Sequence, residues 1–412
     1  MRIKVKAFGC KLNQCEAGGI ERELSSAGHE IVGKPPYDAV VVCGCTVTMR
    51  ADYKVRQYLR RMVRDYGVKR LFLSGCSAVS FDEDVIGELA VEKAFSKNDG
   101  TKIAEYLGRG NAGQDFPQTF HGRTRGYVKI QDGCDQFCSY CIVPLVRGRE
   151  RSIPSDAVIA RVKELERAGV KEAVLTGVHD GRYFADGLDL AALCRQILDE
   201  TEILRLRLSS VESEKITNDL IDLLSREKRL ANHLHVPLQS GSDSVLARMN
   251  RQYAANDYAK TIHKLADSVD DIGIGADVIV GFPGETDIEF EDTYELINSL
   301  PFSYLHVFRY SPRPGTAAAK MPDPVHTETA RVRMERLRAL HEDLRRKFAE
   351  SQFGITRNVI IERIRDGIGH GWTDNYMRVE VPVDNNDKGK MISVKPKSYT
   401  NGVVHCEKIN SI

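Results

Sequence analysis

The stretch GCDQFCSYCIVP, residues 133–144, sets three cysteines, Cys134, Cys138 and Cys141, close together in the chain. A disulfide cannot use three thiols, and a structural zinc site wants a fourth ligand. Three thiolates alone point to a metal or cluster with one position left open. Directly before them runs YVKIQ (127–131), the first of six candidate strands. The others are EAVLTGV (172–178), RLRLSS (205–210), HLHVPL (233–238), IGADVIVGF (274–282) and YLHVFRY (304–310). Helical patterns such as SDAVIARVKELERAG (155–169) separate them. Six β/α units predict a barrel or partial barrel, a fold whose chemistry lies at the C-terminal strand ends, and the cysteine loop follows the first strand.

Upstream, IKVKAF, AVVVC and RLFLS alternate with helical stretches and predict a parallel α/β domain. Each of these strands ends near a Gly-Cys pair: Gly9-Cys10, Gly44-Cys45 and Gly75-Cys76. Ligands of open parallel sheets lie beyond the strand carboxyl ends. Cys10, Cys45 and Cys76 can therefore converge despite their separation in the chain, and the glycines allow close backbone approach to a bulky group. Three buried structural cysteines is the plainer alternative. Downstream, SPRPGT (311–316) breaks the β/α pattern, a charged helix follows at about 327–350, and the tail alternates like the short strands of a small antiparallel β-barrel.

The chain of 412 residues, 42% apolar and 28% charged, has the size of two or three domains. The division read from the sequence is 1–112, a linker at 113–125, a core at 126–348 and a last module at 349–412. The start, MRIKVKAFGC, lacks a signal peptide's apolar segment, and no long apolar run predicts a membrane helix. The expectation is a cytoplasmic protein. There, ten cysteines argue for metal or catalysis rather than disulfides, although Cys194 and Cys406 read as small packed hydrophobes. The net charge of +1 is uninformative, but residues 50–70 carry eight Arg/Lys against two Asp. That stretch suits a phosphate-rich partner, or is simply a solvated helix face.

The C-x3-C-x2-C spacing, with Tyr140 before the last cysteine, is the radical-SAM signature. Three thiolates hold three irons of a [4Fe–4S] cluster, and the open iron chelates S-adenosylmethionine (SAM). With such a cluster bound, one electron would break the SAM sulfonium bond to give methionine and a 5′-deoxyadenosyl radical able to abstract hydrogen from a C–H bond. Together with FGCKLNQCE, CGCTVT, SGC, VLTGVHDGRY (174–183), HVPLQSGSDSVLARMNR (235–251), ADVIVGFPGET (276–286) and LHVFRYSPRPGTAAAKMP (305–322), the chain resembles the radical-SAM methylthiotransferases over nearly its whole length. GCKLNQ and LTGVHDGRY stand closest to the MtaB type, and the module with GWTDNYMRV (371–379) resembles the TRAM RNA-binding domain.

The resemblance implies methylthiolation of N6-threonylcarbamoyladenosine at position 37 of tRNA. It implies two [4Fe–4S] clusters and two SAM molecules, one a methyl donor to sulfur at the auxiliary cluster and one the radical source. An electron donor and a sulfur source of unknown identity are implied as partners, with no membrane. The auxiliary cluster falls to Cys10, Cys45 and Cys76, the radical-SAM cluster to Cys134, Cys138 and Cys141. Cys43 competes with Cys45, whose register with TVT is the better, and Cys43 and Cys15 both depart from the family pattern. For SAM the resemblance points to Tyr140, Thr176, Gly177, Ser210, Glu212, Gln239, Val280 and Gly281. Arg147 and Arg149 are candidates for phosphate or a substrate carboxylate, Trp372 and Tyr376 for stacking on a base or for core packing, and His179 for a pocket or packing role. The rival substrates are isopentenyladenosine in tRNA and an aspartate of a ribosomal protein. Lys11, in place of a proline after Cys10, argues against the protein substrate. A non-catalytic iron–sulfur RNA-binding protein is the rival of another class, and binding alone has no use for an open iron.

Overall fold

The computed structural model describes residues 1–96, 100–109 and 124–409; of the linker read at 113–125, all but the last two residues lie outside them. The described chain forms two compact units. One holds the N-terminal sheet with Asp132–Arg151 and Ser311–Ala319, and the other holds Ser152–Tyr310, the strand before Asp132, and the chain from Lys320 onward.

The first unit is built on β1 (Arg2–Ala7), α1 (Lys11–Ser26), β2 (Glu30–Ile31), β3 (Ala39–Gly44), α2 (Met49–Tyr66), β4 (Arg70–Gly75) and β5 (Lys93–Ala94). Its strands are parallel in the order β2-β1-β3-β4-β5. The apolar run of β3 is buried on both faces, as a central parallel strand must be. Ala39, Val41 and Cys43 pack with Ile3, Val5 and the α1 residues Ala17, Ile20 and Leu24. Val40 and Val42 pack with Leu71, Leu73 and the α2 residues Val55, Leu59 and Met62. Helix α2 starts where the Thr48 hydroxyl accepts the Ala51 N–H and stops at left-handed Gly67. Its basic face is exposed, and some of that charge is balanced locally, Arg60 by Glu88 and Arg61 and Arg64 by Asp65.

In the second unit, β6 (Arg125–Lys129), β7 (Glu172–Thr176), β8 (Arg205–Arg207), β9 (His233–His235), β10 (Gly273–Val280) and β11 (Tyr304–Arg309) form two parallel three-stranded sheets, β8-β7-β6 and β9-β10-β11. Bridges Leu206–Leu230 and Ser210–His235 join them into a six-stranded partial barrel. Each expected segment contains a strand, the first beginning two residues earlier than read. Helix α3 (Thr327–Ser351) leads into five strands, β12 (Arg357–Arg365), β13 (Ile368–Thr373), β14 (Arg378–Pro382), β15 (Met391–Thr400) and β16 (Val403–Lys408). These close into a barrel, antiparallel except for the β14–β16 pair. Cys406 packs in its core, and Cys194 is wholly buried.

The module meets the N-terminal ends of the core strands. Glu172 takes Arg207 Nε at 2.8 Å and Arg205 Nη1 at 3.2 Å. The two guanidiniums also donate to the carbonyls of Asn358, Trp372, Thr373 and Asp374. Burial alone would raise the Glu172 carboxyl, but Arg207 and Arg205 outweigh it and hold the group down at about 2. The buried carboxylate is thus paired with two guanidiniums that also hydrogen-bond to backbone carbonyls, the condition under which such a cluster is tolerated.

Candidate active site

In the first unit the in-register strands bring their carboxyl ends level, with Ala7 beside Cys43 and Gly44 beside Gly75. Cys10 is exposed just past β1, whereas Cys45 and Cys76 are buried. Burial pushes the Cys45 thiol up to about 12, with smaller contributions from Cys10 and Cys76, so the three thiols lie within electrostatic reach of one another. Burial also raises Cys76, opposed by Arg147. Gly9, at φ +91°, passes so close that a Cβ there would lie 2.6 Å from Cys45 Sγ. Cys43 stands apart, in the apolar core beneath α1. Cys15 is half-buried on α1.

Residues 132–151 belong to the same unit. Gly133 (φ +71°) and Phe137 (φ +50°) turn the loop sharply. The Cys134 N–H donates to Gly148 O at 3.1 Å, the Cys141 N–H to Cys138 O at 3.0 Å, and the Gln136 N–H to Cys134 Sγ at 3.4 Å. Cys134, Cys138, Cys141 and Tyr140 are all half-buried. Two sets of three thiols, each with backbone or guanidinium N–H groups directed at sulfur, are the donor chemistry of iron–sulfur clusters, and none of the ten cysteines is spent in a disulfide.

The two arginines after this loop behave differently. Arg149 is exposed, 3.2 Å from Asp135 and over the Phe137 ring. Arg147 turns inward, its side chain 8% exposed. Its Nε–H donates to Cys76 Sγ at 3.2 Å, Nη1 to Glu16 at 2.9 Å and Asp132 at 3.1 Å, and Nη2 to Asn13 at 2.8 Å and Glu16 at 3.0 Å. A role for Arg147 in meeting phosphate does not fit this burial.

In the second unit the residues read as a SAM pocket lie at or just beyond the C-terminal strand ends. Thr176 is the buried last residue of β7. At Gly177 a Cβ would meet Asp180 and Gln131. The Ser210 N–H donates to Asp180 at 3.3 Å, and Glu212 lies 2.9 Å from His179 Nδ1, a buried ring. Gln239, at φ +68°, bridges to Val278. Val280 shares the wholly buried face of Ile274, Ala276 and Val278, so what it offers a cofactor is backbone. The Gly281 N–H is taken by Glu285 at 2.7 Å, itself fixed by Arg333 at 2.6 Å.

Sequence reasoning missed a polar cluster on β9, β10 and β11. His235 Nε2 and His306 Nδ1 lie 3.0 and 3.3 Å from the same Asp277 oxygen. The Tyr304 hydroxyl bridges His233 and His235 at 2.9 and 3.0 Å. Burial raises the Asp277 carboxyl, but the two imidazoles outweigh it and hold it well below the carboxylate range. The polar cluster's His–Asp–His donor atoms lie within 4.8 Å of one another. Polar residues at alternate positions, as in HLH, were the available signal. Trp372 and Tyr376 stack on each other at 4.5 Å, with Tyr376 also on His233 at 4.3 Å. Arg125 lies over Trp372 and Arg207 over Tyr376, so these rings are engaged within the chain. Both line a cavity of about 590 Å³ between α3, β11 and the module.

The radical SAM superfamily model matches residues 128–297, and a model described as uncharacterized protein family UPF0004 matches residues 2–95. The chain is 36% identical to threonylcarbamoyladenosine tRNA methylthiotransferase MtaB of Bacillus subtilis, over 95% of this chain and 93% of that protein. It is 33% identical to the protein of the same name from Thermotoga maritima, over 98% and 96%. Among solved structures, the radical SAM methyltransferase TsrM of Kitasatospora setae shares the fold, with a TM-score of 0.57 and 13% identity over 90% of this chain and 80% of that one. The superfamily match brings SAM and a [4Fe–4S] cluster as cofactors. With matching identity along nearly its whole length, the chain belongs to the radical SAM methylthiotransferases of the MtaB type.

Proposed function

We propose that this enzyme places a methylthio group on carbon 2 of the adenine of N6-threonylcarbamoyladenosine in tRNA. What supports the reading is the placement of Cys10, Cys45 and Cys76 just past the level carboxyl ends of three neighbouring strands, in the unit that also holds Cys134, Cys138 and Cys141. One trio suits an auxiliary [4Fe–4S] cluster and the other the radical-SAM cluster. When bound, these clusters and SAM supply one-electron cleavage of the sulfonium, a hydrogen-abstracting radical and a site for the sulfur to be transferred. The polypeptide holds the thiolates, shields Cys45 and Cys76 from water and keeps a cation on Cys76.

Thr176, Gly177, Ser210, Glu212, Gln239, Val280 and Gly281, with Tyr140 from the cysteine loop, are the proposed SAM contacts. Their position at C-terminal strand ends supports this. The basic face of α2 and the arginines of α3 suit tRNA phosphates. The domain limits read from the sequence, an electron-donor protein, a sulfur source and a cytoplasmic setting complete the proposal; no helix among the described residues is long and apolar enough to cross a membrane.

Mass spectrometry of tRNA nucleosides tests it. The anaerobically reconstituted protein is incubated with SAM, reductant, sulfide and tRNA containing threonylcarbamoyladenosine. A gain equal to S–CH3 replacing hydrogen on that nucleoside is expected. A gain on isopentenyladenosine instead transfers the protein to the sister activity, and SAM cleavage with neither gain discards the substrate.

A further inference from the structure

Arg147 and Asn13 form one hub beneath the auxiliary cysteines. The Asn13 side-chain N–H2 donates to the carbonyls of Phe8 at 2.8 Å and Gly44 at 3.1 Å, close before Cys10 and directly before Cys45. Its oxygen accepts from Arg147 at 2.8 Å, and Arg147 Nε–H reaches the third cysteine, Cys76, at 3.2 Å. Two side chains therefore tie all three strand ends together. Arg147 also closes the short helix Val143–Arg147 that follows Cys141. It salt-bridges Asp132 at 3.1 Å, so the same guanidinium joins the Cys134–Cys138–Cys141 loop to the other set. Each of its five N–H groups has an acceptor, which leaves none for an incoming phosphate or carboxylate.

We infer that Arg147 is a positioning residue for the auxiliary cluster, donating an N–H···S hydrogen bond to its Cys76 ligand and setting its reduction potential. The inference rests on reading Cys10, Cys45 and Cys76 as an iron–sulfur set. Reduction adds negative charge to a cluster and its sulfurs. A buried cation and an N–H on one sulfur favour that reduced state and raise the potential. Glu16 neutralises the guanidinium in part but does not replace the donor on sulfur. Lysine in this place would keep a charge and lose the planar fork that serves four residues at once.

The test uses the full chain with Cys134, Cys138 and Cys141 changed to alanine, so that only the auxiliary cluster is present. Its potential is titrated under EPR detection in three forms: with Arg147 intact, with Arg147→Lys, and with Arg147→Met paired with Glu16→Gln, which removes the guanidinium together with its main acid. Circular dichroism confirms folding, and iron analysis the cluster. The expected result is a more negative potential, by about tenfold in the reduced-to-oxidised ratio at fixed potential (about 59 mV for one electron) in the double variant and by less in the lysine variant. Loss of the iron from a chain that stays folded also supports the role, as loss of the cluster's holding. A folded, iron-bearing double variant with an unmoved potential overturns it. Absence of iron already in the Arg147-intact chain sinks the auxiliary-cluster reading itself, and this inference with it.

Discussion

Cys43 and Cys45 stand two positions apart and serve different neighbourhoods: Cys43 packs with Ile3, Val41 and Ile20, whereas Cys45 lies past the strand end beside Gly9, which precedes Cys10. Cys45→Ala is expected to lose about four of the about eight irons of a two-cluster protein. Cys43→Ala is expected to keep them all and to lose about 1 kcal/mol of stability from the buried contact. Iron and sulfide analysis of the two variants, beside a urea titration, decides it. Retained iron in Cys45→Ala with loss in Cys43→Ala would reverse the assignment.

Gly133→Ala strikes the other set. At φ +71° the new Cβ would lie 2.0 Å from the Arg149 carbonyl oxygen, next to the Cys134–Gly148 hydrogen bond. Backbone strain of about 1–3 kcal/mol adds to this clash, and the loop must shift. The variant is expected to bind only the auxiliary cluster and to release no 5′-deoxyadenosine above background. Normal SAM cleavage would show that the loop tolerates the change.

Acid should attack the second unit through Glu172. Its carboxyl is held at about 2 against an ordinary 4.5, so the folded chain resists the proton more than the unfolded one. The stabilisation is therefore complete above pH 4.5 and disappears as pH falls through about 2. Glu172→Gln strands Arg205 and Arg207 and is expected to cost about 3–5 kcal/mol at neutral pH. It should also flatten the dependence of stability on pH below 4.5. Urea unfolding at a series of pH values checks both parts, and an unchanged acid limb would remove Glu172 as its cause.

His341 governs a milder window. Burial, then Arg345, lowers its imidazole from 6.5 to about 4, and its neutral Nδ1 accepts the Leu305 N–H at 3.0 Å. The folded form again disfavours the proton, so stability is full above pH 6.5 and declines toward pH 4. The expected loss is about 1–2 kcal/mol once solvent screening is allowed for. His341→Asn offers an amide oxygen to the same N–H and should lessen the pH slope of the melting temperature across that range. A variant that melts with the same pH slope as the parent would contradict this.

Much of this architecture was written in local patterns. The runs AVVVC and RLFLS, and the later β/α alternation, gave the parallel strands because buried parallel strands are apolar on both faces. The cysteines were legible because glycine–cysteine endings recur on neighbouring strands, where the sheet lines them up. What escaped depended on distant partners. Arg205 and Arg207 are improbable inside a strand until the carbonyls of residues 372–374 are present to receive them. Arg147 read as a candidate for phosphate or a substrate carboxylate because Glu16 and Asn13, its acceptors, come from the far end of the unit's sequence. Likewise, the His235–Asp277–His306 contact joins three strands whose side chains meet only after the sheet has formed.

The two arginines that begin and end β8 make the last module a structural creditor of the core rather than a passenger. A chain stopped after α3 would leave two guanidiniums without their carbonyl acceptors and strip Tyr376 from His233. Premature termination there should give an insoluble product rather than a slower enzyme. In evolutionary terms the RLR triplet and the barrel form one heritable unit: any relative that has shed the barrel is expected to carry small or apolar residues at the places of Arg205 and Arg207.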